Sequence, residues 1–580
     1  MSLQNFLGLR FDGVAEAAKC SSATIRLANK VSQWLAACLC LLLSALPVDR
    51  LLAGVLATDP LYEWHLYTGG SGGTSSVATV RIASDAAGNV YVYGYSYENW
   101  GTPIVSHTGG NQIDVFVAKF DQDGLLQWHT FLGSGQNDTG VEMVLDDSGN
   151  IYIVGQSRAT WGSPLAAFPG RNTGFIAKLN TSGQRQWNTF VPIPNSLGAS
   201  AITHSVDIDS DGNVIVAGQS SVSWGSPIAA HNGGNDGYAA KYSSAGAVIW
   251  NTFFGSTSVS VGVDEMIVDS DDNVIVTGSS DNPWGSSPIN AHAGAGIFNA
   301  FAIKFNTSGA QQWHTFMGTT TGGTFGLTLG RSVEVDSNDN VFIVGQSSNW
   351  GIPLNANAGI FDAFIAKLNP SGVAQWHTFA GGGGSDLANG IVINDLNEIF
   401  ISGHSGTSNW GNIVDSGAEG SGGFIAKFSS AGGLSWNVFD EKAESLALVN
   451  HVDLYTVGGA LNDWGTPLNA HEAPGTVLNG FVTKHCLSCY RVDTSVLSGN
   501  GQFVPETQVV DAGATANLVV RGDAGYELDT ISGCDVTLDN GDIYVTSPVF
   551  ANCTVEASFV QSDSFIVIPL INGRAVIIVL

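Results

Sequence analysis

One phrase recurs along this chain, and its spacing is stricter than its wording. FVAKFDQDGLLQWHTF at residues 116–131 returns as FIAKLNPSGVAQWHTF at 364–379. A lysine follows an aromatic residue by three positions, and in six copies a glycine comes five residues after the lysine and a tryptophan nine after it. The lysines are Lys119, Lys178, Lys241, Lys304, Lys367, Lys427 and Lys484; the tryptophans are Trp64, Trp128, Trp187, Trp250, Trp313, Trp376 and Trp436. The two series are out of step: Trp64 has no lysine before it and Lys484 no tryptophan after it. A period of about 60 residues means stacked units that cannot bury their apolar faces alone. The offset adds a condition, that the first strand of the array completes its last unit.

Each period supplies four short strands. In VEMVLDDSGNIYIVGQS, residues 141–157, two apolar runs that alternate at period two flank a Gly-Asn turn of the sort tight hairpins require. The lysine and tryptophan phrases add two more strands. A second tryptophan series, Trp100, Trp161, Trp224, Trp284, Trp350, Trp410 and Trp464, opens WGxP or a variant of it. Four antiparallel strands in a repeated unit make a propeller blade. The expectation is therefore an all-β, seven-bladed β-propeller over 58–485, closed by the strand around EWHLY (63–67) so that no sheet edge stays open. An open β-solenoid is the alternative, although its rungs are shorter and its ends need caps.

Residues 1–57 read as a signal peptide or leader. WLAACLCLLLSAL (34–46) is an uncharged apolar run preceded by Arg26 and Lys30 and followed by a small-residue site ending at Ala57. A retained anchor is the rival, but Asp49 and Arg50 interrupt it and the run is short for a span, so no membrane span is expected in the mature chain. The leader holds three of the 50 acids and five of the 21 bases, leaving 47 against 16, a formal −31. So acidic a chain excludes a nucleic-acid partner, which needs clustered cations. After the leader four cysteines remain, an even number that fits disulfides in an extracellular, cell-surface or periplasmic setting and allows three pairings.

The repeat resembles the bacterial seven-bladed propeller family known as SBBP, whose pattern is close to D-x-x-G-N-V-Y-V-x-G-x-S, then D-A-F-V-A-K, then G-x-x-x-W-x-T-F. The matching residues are DSDGNVIVAGQS (209–220), DAFIAKLNPSG (362–372) and QWHTF (375–379), and the resemblance covers 61–485. It implies an exported or surface-associated propeller and no particular reaction. LALVNHVDLYTVGG (446–459), in the last unit, has lost the Asp and Gly of its turn. Beyond Lys484, GNGQFVPETQVVDAG (499–513), GDAGYELDTISGC (522–534) and FANCTVEASF (550–559) resemble divergent internalin-type B-repeat modules, giving a small β domain over 486–563. So small a core is marginal unaided, so a Cys534–Cys553 staple worth about 2–4 kcal/mol is expected, with Cys486 and Cys489 closing a small ring at the junction. The ending, 564–580, places Asn572-Gly573 between two apolar runs: a hairpin that completes the module, or one that docks on another sheet.

Chemistry is sparser. Seven equivalent lysines cannot meet in one active site, so each is read as a solvated ion pair beside a turn aspartate. His65, His129, His314 and His377 follow unit tryptophans, and His107, His231, His292 and His471 follow the proline of WGxP by four. His204, His404, His451 and His485 belong to no series; His404 and His451, with Arg331 and Asp386, are the set expected at a channel mouth if the propeller is catalytic. Asp207, Asp209 and Asp211 alternate before Gly212 like a calcium loop, but the twelfth position from Asp207 is Gly218 where an EF-hand needs Glu, leaving only a looser calcium site. No other cofactor is expected: GxSxG, Walker, HExxH and dinucleotide fingerprints are absent. The leading expectation is a non-enzymatic exported scaffold that binds glycans or other surface macromolecules. Its contacts are expected on the loops running 17 to 20 residues from each WGxP tryptophan to the next lysine, unless those tryptophans only pin the loops. The alternatives are a secreted polysaccharide lyase or hydrolase and a purely architectural surface component.

Overall fold

The computed structural model describes residues 61–580 apart from 69–76, 109, 111, 258–259, 319–325, 408, 416–421, 441–442, 450–452, 461–467, 469–478, 488, 563–564, 570–574 and 580. The leader, His451, His471 and Trp464 lie outside the described residues. Those described are all-β, and no helix among them is long and apolar enough to cross a membrane.

Among the described residues, seven antiparallel sheets follow one another between residues 61 and 486. Sheets 1 to 6 span 77–132, 138–190, 201–254, 261–317, 328–380 and 386–440, each built from consecutive strands paired in sequence order. Sheet 6 carries one extra short strand, Ile413–Asp415, on its outer edge. Sheet 7 takes three strands from 443–486 and its fourth from the N-terminus, Leu61–Thr68. There Trp64 lies opposite Lys484, the pairing that every other sheet makes within itself, as Lys119 with Trp128. The first strand of each sheet packs on that of the next, and the strand of sheet 7 packs on that of sheet 1. The sheets thus form a β-propeller ring, fastened where its two ends meet.

The core lies between sheets. One apolar cluster fills each seam: Tyr91, Val115 and Ile151 join sheets 1 and 2, while Leu66, Tyr455 and Val90 join sheets 7 and 1. The second strand of sheet 2, Ile151–Ser157, is buried along nearly its whole length. Alternation at period two was expected for such strands, but a sheet sandwiched by two others has no solvent face, so continuous apolar runs result.

The repeated tryptophan latches one sheet to the next at the outer rim. Trp250 donates its indole N–H to the carbonyl of Thr307 at 3.1 Å, and its ring lies on Gly309, where an added Cβ would fall 2.9 Å from it. Gly309 has φ +81°, so both the turn and the close approach require glycine. Trp187 and Trp313 repeat the bond, to Ser244 and Pro370. The constant spacing of Lys, Gly and Trp is thereby accounted for: the glycine of one unit seats the tryptophan of its predecessor.

The lysines differ from expectation in being mostly buried. Their ammonium groups lie 2.5 to 3.8 Å from a turn carboxylate in all seven sheets, and the side chains are only 10–17% exposed. In sheet 1 Lys119 sits between Asp85 and the Tyr91 ring. In sheets 1 to 5 the same aspartate also holds its turn's own N–H groups, as Asp85 accepts from Ala87 and Asn89.

After residue 486 two four-stranded sheets enclose a separate core that includes Val492, Phe503, Val520 and Phe559. Cys534 is bonded to Cys553, and Cys486 to Cys489. The final strands, Phe565–Pro569 and Ala575–Val579, pair with each other in a two-stranded sheet.

Deleting 61–68 bares the edge of the Asn479–Cys486 strand. The expected result is a lower melting temperature with self-association seen by light scattering; a monomer that melts unchanged would show that closure contributes nothing.

Candidate functional site

Most repeated polar residues are consumed in building the ring. Trp100, Trp161, Trp224, Trp284 and Trp410 are 3–7% exposed and pack edge-on against core phenylalanine or tyrosine rings, so the WGxP tryptophans pin their loops. The residue after each outer-strand tryptophan secures the same loop. His129, His314 and His377 bond through Nε2 to the carbonyls of Trp100, Trp284 and Trp350, and where the repeat has asparagine, Asn188, Asn251 and Asn437 donate to Trp161, Trp224 and Trp410. Histidine and asparagine interchange because each brings one N–H to that point. Burial holds His129, His314 and His377 below the usual imidazole range, hence neutral donors. His107, His231 and His292 bond the carbonyls of Ser96, Ser220 and Ser280, fastening the loops from within.

Symmetry breaks at one level of the inner wall. Every inner strand carries a β-bulge at the same place, leaving one residue out of the ladder: Val80, Val141, His204, Asp264, Arg331, Asn389 and Glu444 in sheets 1 to 7. A bulge re-aims the side chain it carries. Neighbouring members pair: Arg331 donates to Asp264 at 2.8 Å, and Glu444 accepts from Asn389 at 2.9 Å and bonds His404 Nε2 at 3.1 Å. Beside them Arg81 donates to Glu142 at 2.7 Å. The charge of Arg81 is felt by His204, Asp264, Glu265 and Glu444, which come from three other sheets, so the wall converges on the ring axis.

Electrostatics here are governed by burial. It pushes Asp264 up to about 6 despite Arg331, and, with the neighbouring Glu142 charge, Glu265 up to about 7. Burial, then the charges of Glu265 and Asp207, raise Glu334 to about 8. Burial, then the charge of Arg81, press His204 down to about 4, and its Nε2 has no partner.

Of the expected residues, Arg331 and His404 meet this wall. Asp386 does not join them: it begins an inner strand, and its carboxylate accepts from Ser405 Oγ and from the backbone N–H groups of Gly382 and Gly406 in its own sheet. The three aspartates of the calcium-like stretch have separate surroundings. Asp209 accepts from Asn213 and pairs with Lys241, Asp207 accepts from the Val268 N–H of the next sheet, and Asp211 is exposed, so the three do not converge. Among the described residues no group of three or more His, Cys, Asp or Glu is placed to hold a metal ion. His204, set apart in the sequence because it belongs to no series, also lies on this wall. Sequence reasoning missed Arg81, Glu142, Asp264, Asn389 and Glu444. The signal was present: in sheets 1 to 6 the fourth residue of the inner strand runs through Val, His, Asp, Arg and Asn.

These shifts set a pH dependence. A carboxyl whose folded pKa is raised keeps its proton longer in the folded chain, so its contribution declines as pH rises from about 4.5 to about 8 for Glu334. The buried neutral histidines act oppositely and only below about 6.5. The melting temperature is therefore expected to fall between pH 6.5 and pH 8, and Glu334→Gln to flatten that fall and raise stability at pH 8; thermal melts of both proteins across that range check it.

No protein-family model matches the chain. An uncharacterized WD repeat-containing protein of Acanthamoeba polyphaga mimivirus is 22% identical over 386 residues, 51% of this chain, which spans only 26% of that relative's length. Among solved structures, the Neurospora crassa Pan2 WD40 domain aligns with 74% of this chain and 96% of its own, at 9% identity and TM-score 0.40. An ulvan lyase of a polysaccharide lyase family aligns over 70% and 96%, at 12% identity and TM-score 0.38. A protein of unknown function from Dyadobacter fermentans aligns over 73% and 99%, at 9% identity and TM-score 0.34.

Proposed function

We propose that the chain is an exported, non-enzymatic, seven-bladed propeller of the SBBP type that binds glycans or other surface macromolecules at an axial mouth of its ring, with the B-repeat-type module as spacer or attachment element. One observation carries this reading: the repeated Lys, Trp and His or Asn positions are spent on holding the ring together, while the bulges present unlike polar side chains to a common space. Paired disulfides and the apolar run at 34–46 support export. Binding is favoured over catalysis because both arginines and Glu444 are already engaged by neighbours of the wall, which suits a fixed hydrogen-bonding surface.

A second reading has its own support. His404 held by Glu444 is an imidazole oriented by a carboxylate, the arrangement of a general acid or base in a hydrolase or lyase. Glycan-array retention by the purified protein, run alongside turnover of the same glycans, separates the readings. Retention without cleavage is expected. Cleavage that disappears in His404→Ala would instead establish the enzyme, and neither result would leave the architectural component.

A further inference from the structure

We propose that the bulge level of the inner wall is a subsite for one uncharged sugar residue, with hydroxyls toward sheets 4 to 7 and a carbon face toward sheets 1 and 2. This deepens, and rests on, the glycan-binding reading above. Asp264, Arg331, Asn389 and Glu444 occupy the same bulge position in four consecutive sheets, forming one polar arc, and Val80 and Val141 occupy it in the two sheets beyond Glu444. Such a wall is polar on one side and apolar on the other, as a pyranose is.

The arc has the right groups and room to use them. Carboxylate, guanidinium and carboxamide each offer two atoms side by side, a match for paired hydroxyls. The Arg331 and Asp264 side chains remain 40% and 22% exposed, and those of His404 and Glu444 33% and 39%. Arg331 spends one terminal nitrogen on Asp264 and keeps a buried Nε–H with no partner. His204, the next bulge residue, likewise keeps an unpartnered Nε2.

Charge chooses among sugars. Arg331 is offset by Asp264 at 2.8 Å, so the arc offers no free cation to a carboxylated or sulfated sugar, and a chain at a formal −29 repels polyanions. A sugar without charge pays neither cost.

Isothermal titration of the full chain with neutral tetrasaccharides and with matching uronate oligomers tests this. Neutral binding is expected to weaken about tenfold or more in Asn389→Ala and in Arg331→Ala, and to be lost in Val141→Asp, while melting temperature stays near the parent's. Asn389→Ala decides the matter if the arginine variant fails to fold. Neutral binding that survives all three substitutions overturns the subsite and leaves glycan binding elsewhere on the ring; tighter binding of uronates overturns it through its charge argument. A parent protein that retains no glycan at all removes the functional reading and this subsite together.

Discussion

A four-stranded sheet whose second and third strands are apolar on both faces has to be covered on both sides, and this constraint governs the molecule. Val90–Ser96 and Asp114–Phe120 in sheet 1 are buried almost end to end, as are their counterparts in the sheets that follow. Stacking such sheets in a line would satisfy all but two faces. Bending the stack into a ring satisfies them all, because the last sheet covers the first, and the seam of Leu66, Val77, Tyr455 and Val482 is that final contact. At about 25 cal/mol per Å² of apolar surface removed from water, every seam is a large favourable term. Leaving one unmade would strand two faces at once. Placing Leu61–Thr68 in the last sheet therefore does more than pair an edge, since chain entry and chain exit become neighbours in one ladder.

A ring held this way spends its repeated residues on itself. The rim tryptophan needs a glycine in the next sheet, the loop tryptophan needs an N–H from His or Asn, and the lysine needs a carboxylate in its own sheet's turn. None of these can vary without loosening a latch. Individuality is confined to positions that the latches do not use, and the bulge on each inner strand is such a position, because its residue is outside the ladder and points at no seam. The repeat is thus informative about function chiefly where it fails to repeat.

The architecture was legible in the sequence because spacing encodes contacts. The offset between Trp64 and Lys484 carried the closure, and a nine-residue interval between Lys and Trp spans the end of one strand, one turn and the start of the next. The burial of the lysines was not legible, because whether Lys119 is solvated depends on the Tyr91 ring and on how closely the next sheet lies over the turn. Asp209 looked like a calcium ligand because its spacing is that of a turn, and a turn aspartate and a metal aspartate differ only in what faces them, here Lys241. The inner wall was half legible. Arg331 and His404 stood out as unlike their equivalents, but Glu444 sits in the most divergent unit, where LALVNHVDLYTVGG blurs the register that would have aligned it with Asn389.

Glu334 and Asp336 show how far two residues can separate a chemistry. Burial works against the charge of both. Asp336 has turned the corner into the hairpin, where the Asn338 and Asn340 N–H groups and the Lys367 ammonium converge on it, and its pKa falls below the usual range. Glu334 is still on the inner wall; the one N–H it receives is that of Val335, and the nearest charges are other carboxylates, so its pKa rises to about 8. The difference lies in the direction the backbone faces its N–H groups: into the turn, where the hairpins at Asp85, Asp146, Asp209 and Asp336 supply donors to an acid, and away from the axis, where strands donate along the ladder and leave the wall to its side chains. The ring therefore has fixed, ionised aspartates at its hairpins, and along the axis a set of carboxyls whose charge depends on what stands beside them. A propeller built from repeated hairpins can in this way keep much of its scaffold chemically constant while each sheet contributes something different to the centre.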